Sequence, residues 1–311
     1  MYIEKRKEGK TIKYYLAHSF REGKKIHKIR KFLGKNITEQ ELKERREKAE
    51  KIILEEIRKY KIISDPLQKP LSKEEIEFIS KLEKKQELRI FHLSEKQWKQ
   101  FSELFTYNTN AIEGSDLDQK EVKEILEKNK WPKKSKEDIA ETYGVNESID
   151  FIRKNNEHLS LELIKEIHKI IFKNSKSFAG KFRKKGEEVV VRDGFGNIVH
   201  YGAPQSRVVS LLNELTNWYN KNKNKYPALI LAIVVHNQFE NIHPFRDGNG
   251  RVGRLLLNNI LIKNKLLPIN IDFKNRKEYY LALQEYENNH NIRPMIDLLL
   301  KEYKSLKKSF R

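Results

Sequence analysis

Hydrophobic and polar positions change their rhythm several times along this chain. From Tyr2 to Leu33, short runs rich in isoleucine and aromatics (Tyr2-Ile3, Thr11 through Phe20, Lys25 to Leu33) are separated by Glu8-Gly9 and Arg21-Glu22-Gly23. Such runs divided by turn residues predict a small three-stranded meander. Thr38 with Glu41 forms a capping box, each side chain serving the other's backbone N–H, so a long charged helix should follow to about Tyr60. After the break from Pro66 to Pro70, Ser72 with Glu75 opens another helix. The remainder reads as helical with one exception: Glu187 to Tyr201, where β-branched runs flank Asp193-Gly194-Phe195-Gly196-Asn197, predicts a hairpin. No internal repeat is evident.

Length and composition narrow the classes of function. At 311 residues, one core of about 200 residues with smaller appendages is the natural division. We expect a small basic β module over 1–36, a charged helical linker region over 37–90 and the principal domain over 91–311. Cysteine is absent, which excludes a disulfide scaffold, thiolate zinc sites and a cysteine nucleophile. The longest apolar run, Ala228 to Val235, is too short to span a bilayer, and the N-terminus lacks a signal peptide's apolar stretch. A cytoplasmic protein without membrane partners is expected. The net charge is +20, and residues 1–36 hold twelve Lys/Arg against three Glu, a net +9. That bias suits a solvated surface, or a nucleic acid partner whose bases would stack on Tyr2, Tyr14 and Tyr15.

Chemistry concentrates in Ile242-His243-Pro244-Phe245-Arg246-Asp247-Gly248-Asn249-Gly250-Arg251-Val252-Gly253-Arg254. A glycine-rich loop entering a helix leaves backbone N–H groups pointing outward, and the helix dipole adds positive potential, so phosphates bind there. Gly248 and Gly250 permit close backbone approach. Arg251 and Arg254, three apart, should share a helix face and reach a polyphosphate. Asp247 supplies a hard oxygen ligand of the kind that holds magnesium together with phosphate oxygens and water. Asn249 offers an amide to the α-phosphate. His243 suits a general base, with His236, seven residues earlier, read as structural.

Two rival motifs fail on context. Gly248 to Gly253 satisfies G-x-G-x-x-G, and Asp272 lies nineteen residues beyond the last glycine. A dinucleotide turn, however, needs its strand to end at the first glycine, and here His236 to Asp247 intervene with many polar residues. A P-loop fails because Arg254-Leu255 stand where Lys-Ser/Thr is required. An ordinary turn histidine before proline would leave Asp247, Asn249, Arg251 and Arg254 each needing a separate explanation.

The segment resembles the active-site motif of the Fic family, His-Pro-Phe-x-Asp-Gly-Asn-Gly-Arg-x-x-Arg, at every fixed position. Thr109-Asn110-Ala111-Ile112-Glu113-Gly114 is similar to that family's inhibitory motif, here preceding the catalytic one, and Gly180-Lys181-Phe182-Arg183 to an element ahead of its flap. The resemblance covers roughly residues 90 to 300. It implies a mainly α protein, a Fic-type helical core with a β-hairpin flap (about 187–201) and an inhibitory helix (about 103–114), beside the small basic β-rich module. The implied activity is transfer of AMP from ATP, with Mg2+, to a Ser, Thr or Tyr hydroxyl of a target protein docked on the flap.

On that resemblance His243 is catalytic and Asp247 holds the metal. Gly248, Asn249, Gly250, Arg251 and Arg254 bind nucleotide, with Tyr280 and Asn288 toward adenine, while Glu113 inhibits by pairing with Arg254. Removal of AMP by the same site is one alternative, and a nucleic-acid-binding regulator with a nucleotide-sensing pocket is another. A homodimer is one option the resemblance offers, since autoinhibited relatives are often dimers, and the sequence leaves the oligomeric state open.

Overall fold

The computed structural model describes residues 1–22, 25–64, 66–85, 88–184, 186–187, 189–192 and 198–309. It divides into two compact units, Met1–Ser64 and Asp65–Arg311.

In the first unit, β1 (Tyr2–Glu8), β2 (Thr11–Glu22) and β3 (Lys25–Lys35) form an antiparallel meander in that order. Helix α1 (Glu39–Ser64) follows, capped as expected: Glu41 accepts from the Thr38 N–H at 2.9 Å. Successive strand residues point to opposite faces, and one face supplies the core. There Leu16, Ile29 and Leu33 pack with Ala49 and Ile53 of α1, and Tyr14 and Phe20 lie against them.

The second unit is helical apart from one short hairpin. Its helices are α2 (Lys73–Glu83), α3 (Glu95–Ile112), α4 (Gln119–Lys128), α5 (Lys136–Lys154), α6 (Leu161–Phe172), α7 (Val208–Asn222), α8 (Ala228–Ile242), α9 (Asn249–Lys263), α10 (Arg276–Asn289) and α11 (Arg293–Ser309). Capping boxes start α2 (Ser72 with Glu75), α3 (Ser94 with Gln97) and α4 (Asp118 with Glu121).

Helices α8 and α9 are the centre. Every residue of α8 except Glu240 is buried, as is every residue of α9 except Lys263. Helices buried on every side sit inside a bundle, and α8 carries the longest apolar run of the sequence. The α5–α6 crossing is close: a Cβ on Gly144 would come within 2.2 Å of the Ile171 carbonyl oxygen.

The expected hairpin is present as β4 (Val190–Arg192) paired antiparallel with β5 (Ile198–Tyr201). Residues 188 and 193–197 of that prediction lie outside the described residues. No helix among the described residues is long and apolar enough to cross a membrane.

Candidate active site

The site forms where α8 ends and α9 begins. His243 caps α8 in the left-handed conformation (φ 51°), which stops the helix and turns the chain into Pro244. Its Nδ1 lies 3.2 Å from the Glu240 carbonyl oxygen. That contact puts a proton on Nδ1 and the basic lone pair on Nε2, a tautomer assigned from the hydrogen bond.

The His243 carbonyl accepts from Arg183 Nε at 2.8 Å. Arg183 is 2 % exposed and also donates to the carbonyls of Ala203, Ile242 and Glu187. It therefore ties the end of α8 to both sides of the hairpin. Ala203 N–H donates to the Ile242 carbonyl at 3.2 Å, so the chain leaving β5 is fixed beside His243. Gly202 allows this approach, since a Cβ there would lie 3.0 Å from the histidine's Cβ.

The loop from Phe245 to Asn249 is braced from within. Asn249, buried at the first turn of α9, accepts from the Phe245 N–H at 2.8 Å and donates to the Phe245 carbonyl at 2.9 Å. Its amide staples the loop, a use different from the phosphate contact read in the sequence. Gly248 has φ 79°, and a Cβ there would be 2.2 Å from the Phe172 ring, so only glycine fits.

His168 of α6 supports the same loop. Its ring stacks on Phe245 with centroids 3.8 Å apart. Its Nδ1 accepts from Gly180 N–H at 2.8 Å, and Nε2 lies 3.2 Å from the Asp247 carbonyl oxygen. Burial lowers its pKa to about 4, keeping it a neutral donor to that carbonyl. The Asp247 carboxylate, by contrast, is half-exposed and accepts from its neighbour's Gly248 N–H at 2.7 Å.

The two helix arginines do not share partners. Three residues turn a helix about 300°, leaving roughly 60° between side chains, and long side chains splay further. Arg251 donates to Glu141 of α5 and sits 4.6 Å over the Phe172 ring, with its Nη2 3.9 Å from Asp247. Arg254 turns instead to α3 and α10. Nε donates to Thr109 Oγ1 at 2.8 Å, Nη2 to the Thr109 carbonyl at 3.0 Å and to Glu113 Oε1 at 2.7 Å, and Nη1 to Tyr279 Oη at 3.4 Å. Each arginine is thus held by a different pair of helices.

Glu113 terminates α3, where Gly114 (φ 95°) and Ser115 close the last turn onto Ala111 and Asn110. The turn points the Glu113 carboxylate at the first turn of α9, where a Cβ on Gly250 would lie 2.1 Å from Oε1. Glu113 and Arg254, 141 residues apart, thus meet as the motif suggests.

Behind Arg254 is a polar network that sequence reasoning missed. His236 Nε2 lies 2.9 Å from Tyr279 Oη, and burial lowers the imidazole to about 3. Glu240 Oε1 abuts Gly253, where a Cβ would be 2.3 Å away, and it has no hydrogen-bond partner. Burial raises Glu240 to about 8, against the opposing pull of Arg254. Desolvation works against the Arg254 cation, but Glu113, Tyr279 and Glu240 together hold its pKa above the ordinary arginine value. A carboxylate at Glu240, three residues before His243 and the one acidic side chain of α8, was the available signal.

The two residues expected near adenine lie on α10. Tyr280 is partly exposed and donates to the Ile112 carbonyl at 3.2 Å, beside Glu113. Asn288 is exposed two turns further on. The structure therefore joins Tyr280, but not Asn288, to the Glu113 corner.

Comparison with known proteins agrees with this geometry. The sequence profile described as the Fic/DOC family matches residues 158–261, from before α6 into α9. This stretch is similar to a Fic domain. A protein adenylyltransferase Fic of Nematostella vectensis is 30 % identical over 197 residues, 61 % of this chain and 44 % of the relative. Protein adenylyltransferase fic-1 of Caenorhabditis elegans is 29 % identical over 206 residues, 64 % of this chain and 39 % of the relative. The chain thus spans less than half the length of these curated relatives.

Solved structures share the fold. A Fic domain containing signaling protein from Bacteroides thetaiotaomicron superposes with TM-score 0.61 at 22 % identity, covering 71 % of this chain and 89 % of its own. Fic-1 (residues 134–508) of C. elegans superposes with TM-score 0.60 at 22 % identity, covering 88 % and 77 %.

Proposed function

We propose that the Fic domain transfers AMP from ATP to a Ser, Thr or Tyr hydroxyl of a target protein and is held down by Glu113. The observation that carries the reading is the facing pair of His243 and the glycine-opened N-terminus of α9, with Arg254 engaged by Glu113 at 2.7 Å. The triphosphate would lie along the first turn of α9, accepting from its backbone N–H groups, with Arg254 on the γ-phosphate. Asn249 contributes there through its backbone N–H, because its side chain holds Phe245. Arg251, pinned by Glu141, supplies fixed positive charge along the same helix.

Magnesium fits one residue in particular. Asp247 is a half-exposed carboxylate beside the helix terminus, and a single carboxylate with phosphate oxygens and water is this ion's usual shell. When bound, the ion would neutralise charge on the departing pyrophosphate.

His243 Nε2 takes the proton from the incoming hydroxyl as its oxygen bonds to the α-phosphorus. The bond from that phosphorus to the bridging oxygen of the β-phosphate breaks, and pyrophosphate leaves. The target polypeptide would add along the β4–β5 hairpin through main-chain hydrogen bonds. Incubation with ATP labelled at the α-phosphate should place label on protein when Glu113 is replaced by Gly, and none when His243 is also replaced by Ala. A folded Glu113→Gly protein that labels nothing, itself or a host lysate, would overturn the proposal.

Glu113 also stands where a carboxylate could orient a water for the reverse cleavage. Loss of AMP from pre-modified target only with Glu113 intact would favour removal as the dominant activity.

A further inference from the structure

The N-terminal sheet has one covered face and one open face. Helix α1 covers the side bearing Leu16, Ile29 and Leu33. By strand alternation and register the open side carries Tyr2, Glu4 and Arg6 of β1, Lys13 and Tyr15 of β2, and Lys28, Arg30 and Phe32 of β3. The contacts agree. Tyr15 and Phe32 are cross-strand partners with ring centroids 5.3 Å apart.

The guanidinium groups of Arg6 and Arg30 stand 5.6 and 5.9 Å from the Tyr15 ring, and Lys28 lies 5.4 Å from the ring of Tyr2. Glu4 gathers Arg6, Lys28 and Arg30 at 2.9, 3.1 and 3.0 Å, so one carboxylate spaces three cations and leaves a surplus of positive charge. Phe32 is 53 % exposed and Tyr2 48 %.

We infer that this open face binds single-stranded nucleic acid, with Phe32 and Tyr15 stacking on unpaired bases and Arg6, Lys28 and Arg30 taking the phosphates. This is independent of AMP transfer. The exposed rings of Phe32 and Tyr2, with the half-buried Tyr15 between cations, match the chemistry of a base joined to a phosphate, repeated along a strand. Paired bases hide their faces, so a duplex would use the cations and leave Phe32 and Tyr2 without a partner. An anionic lipid surface would want a continuous apolar face to insert, whereas here the rings are interleaved with the cations.

The full chain should be titrated against a labelled single-stranded oligonucleotide of about 12 nucleotides, as RNA and as DNA, within the site size of small single-strand-binding modules. The matching duplex and phosphatidylserine vesicles are the other arms. Single strands should bind in preference to both, with affinity falling against salt at a slope of about −2, from three cations at about 0.7 each. Phe32→Ala should weaken binding about tenfold without changing the slope, Phe32→Tyr should restore it, and Arg30→Glu should weaken binding and flatten the slope. Unchanged thermal melting of the Phe32 variants would keep folding out of the comparison. Absence of binding at low salt, equal affinity for duplex, stronger binding to vesicles, or indifference to Phe32→Ala would each overturn the inference.

Discussion

Replacing Glu113 by Gly tests whether the 2.7 Å contact with Arg254 restrains transfer. Arg254 is 2 % exposed on its side chain and the carboxylate 26 %, so the pair is sheltered without being sealed. A hydrogen bond to a charged group nets about 1.5–3 kcal/mol, and the γ-phosphate must displace it to reach the same nitrogen. Removing the competitor should therefore raise transfer at sub-saturating ATP by about 10- to 150-fold, at about 1.4 kcal/mol per factor of ten. Arg254 should not drift afterwards, because three further bonds to Thr109 and Tyr279 remain. Glycine is also tolerable at the helix end, where φ is −86°. Adding Arg254→Ala should cancel most of the gain, a non-additivity expected only if the residues act on one another. Label transferred from α-labelled ATP, measured over a range of ATP concentrations, is the assay. If folded Glu113→Gly transfers no faster than the parent at any concentration, Glu113 is an ordinary helix-end carboxylate.

His243→Ala in the Glu113→Gly background should abolish transfer while ATP affinity, read by calorimetry, stays within about threefold, since the base meets the incoming hydroxyl and not the triphosphate; a large loss of affinity would contradict that role. Glu141→Ala leaves Arg251 buried without its carboxylate and should cost about 3–5 kcal/mol in urea unfolding, so an unchanged midpoint would show that Glu141 does not hold Arg251. Between pH 4.5 and about 8 the folded protein keeps a proton on Glu240 that the unfolded chain has lost, so this residue makes stability fall as pH rises. Glu240→Gln should flatten that decline between pH 5 and 9, and identical pH dependence of the two proteins would refute the buried, protonated carboxylate.

Local signals were legible wherever their physics is local. The meander, the hairpin strands and the capping boxes at Thr38 and Ser72 depend on residues two to four apart, and they stand where the pattern puts them. The juxtaposition of Glu113 with Arg254 needed the resemblance to a family motif as well, because nothing local links positions 141 residues apart. The supports of the site were not legible. Glu141 reaches Arg251 across 110 residues and His168 reaches the Asp247 carbonyl across 79. In sequence Glu141 is one of several carboxylates on α5 and His168 one of several polar residues on α6, with nothing to single either out. Asn249 misled for the opposite reason: its amide suits a phosphate, but its position at the helix start lets it satisfy Phe245 first.

Under the proposed function, Gly250 is where inhibition and substrate binding would share one space. Sequence reasoning assigned it to close approach of a phosphate, and the structure puts the Glu113 carboxylate where its Cβ would be. Both are anions: the carboxylate accepts from Arg254, and a phosphate at the start of α9 would meet the same arginine and the helix's positive end. An opening made for an oxyanion at this helix terminus therefore admits a carboxylate from any neighbouring element that can reach it, and the turn at Gly114 gives α3 that reach. On the proposed function, competition between Glu113 and nucleotide would follow from the shared geometry alone, with no change of fold. Its strength would be set by Arg254, whose remaining bonds to Thr109 and Tyr279 hold the guanidinium independently of Glu113.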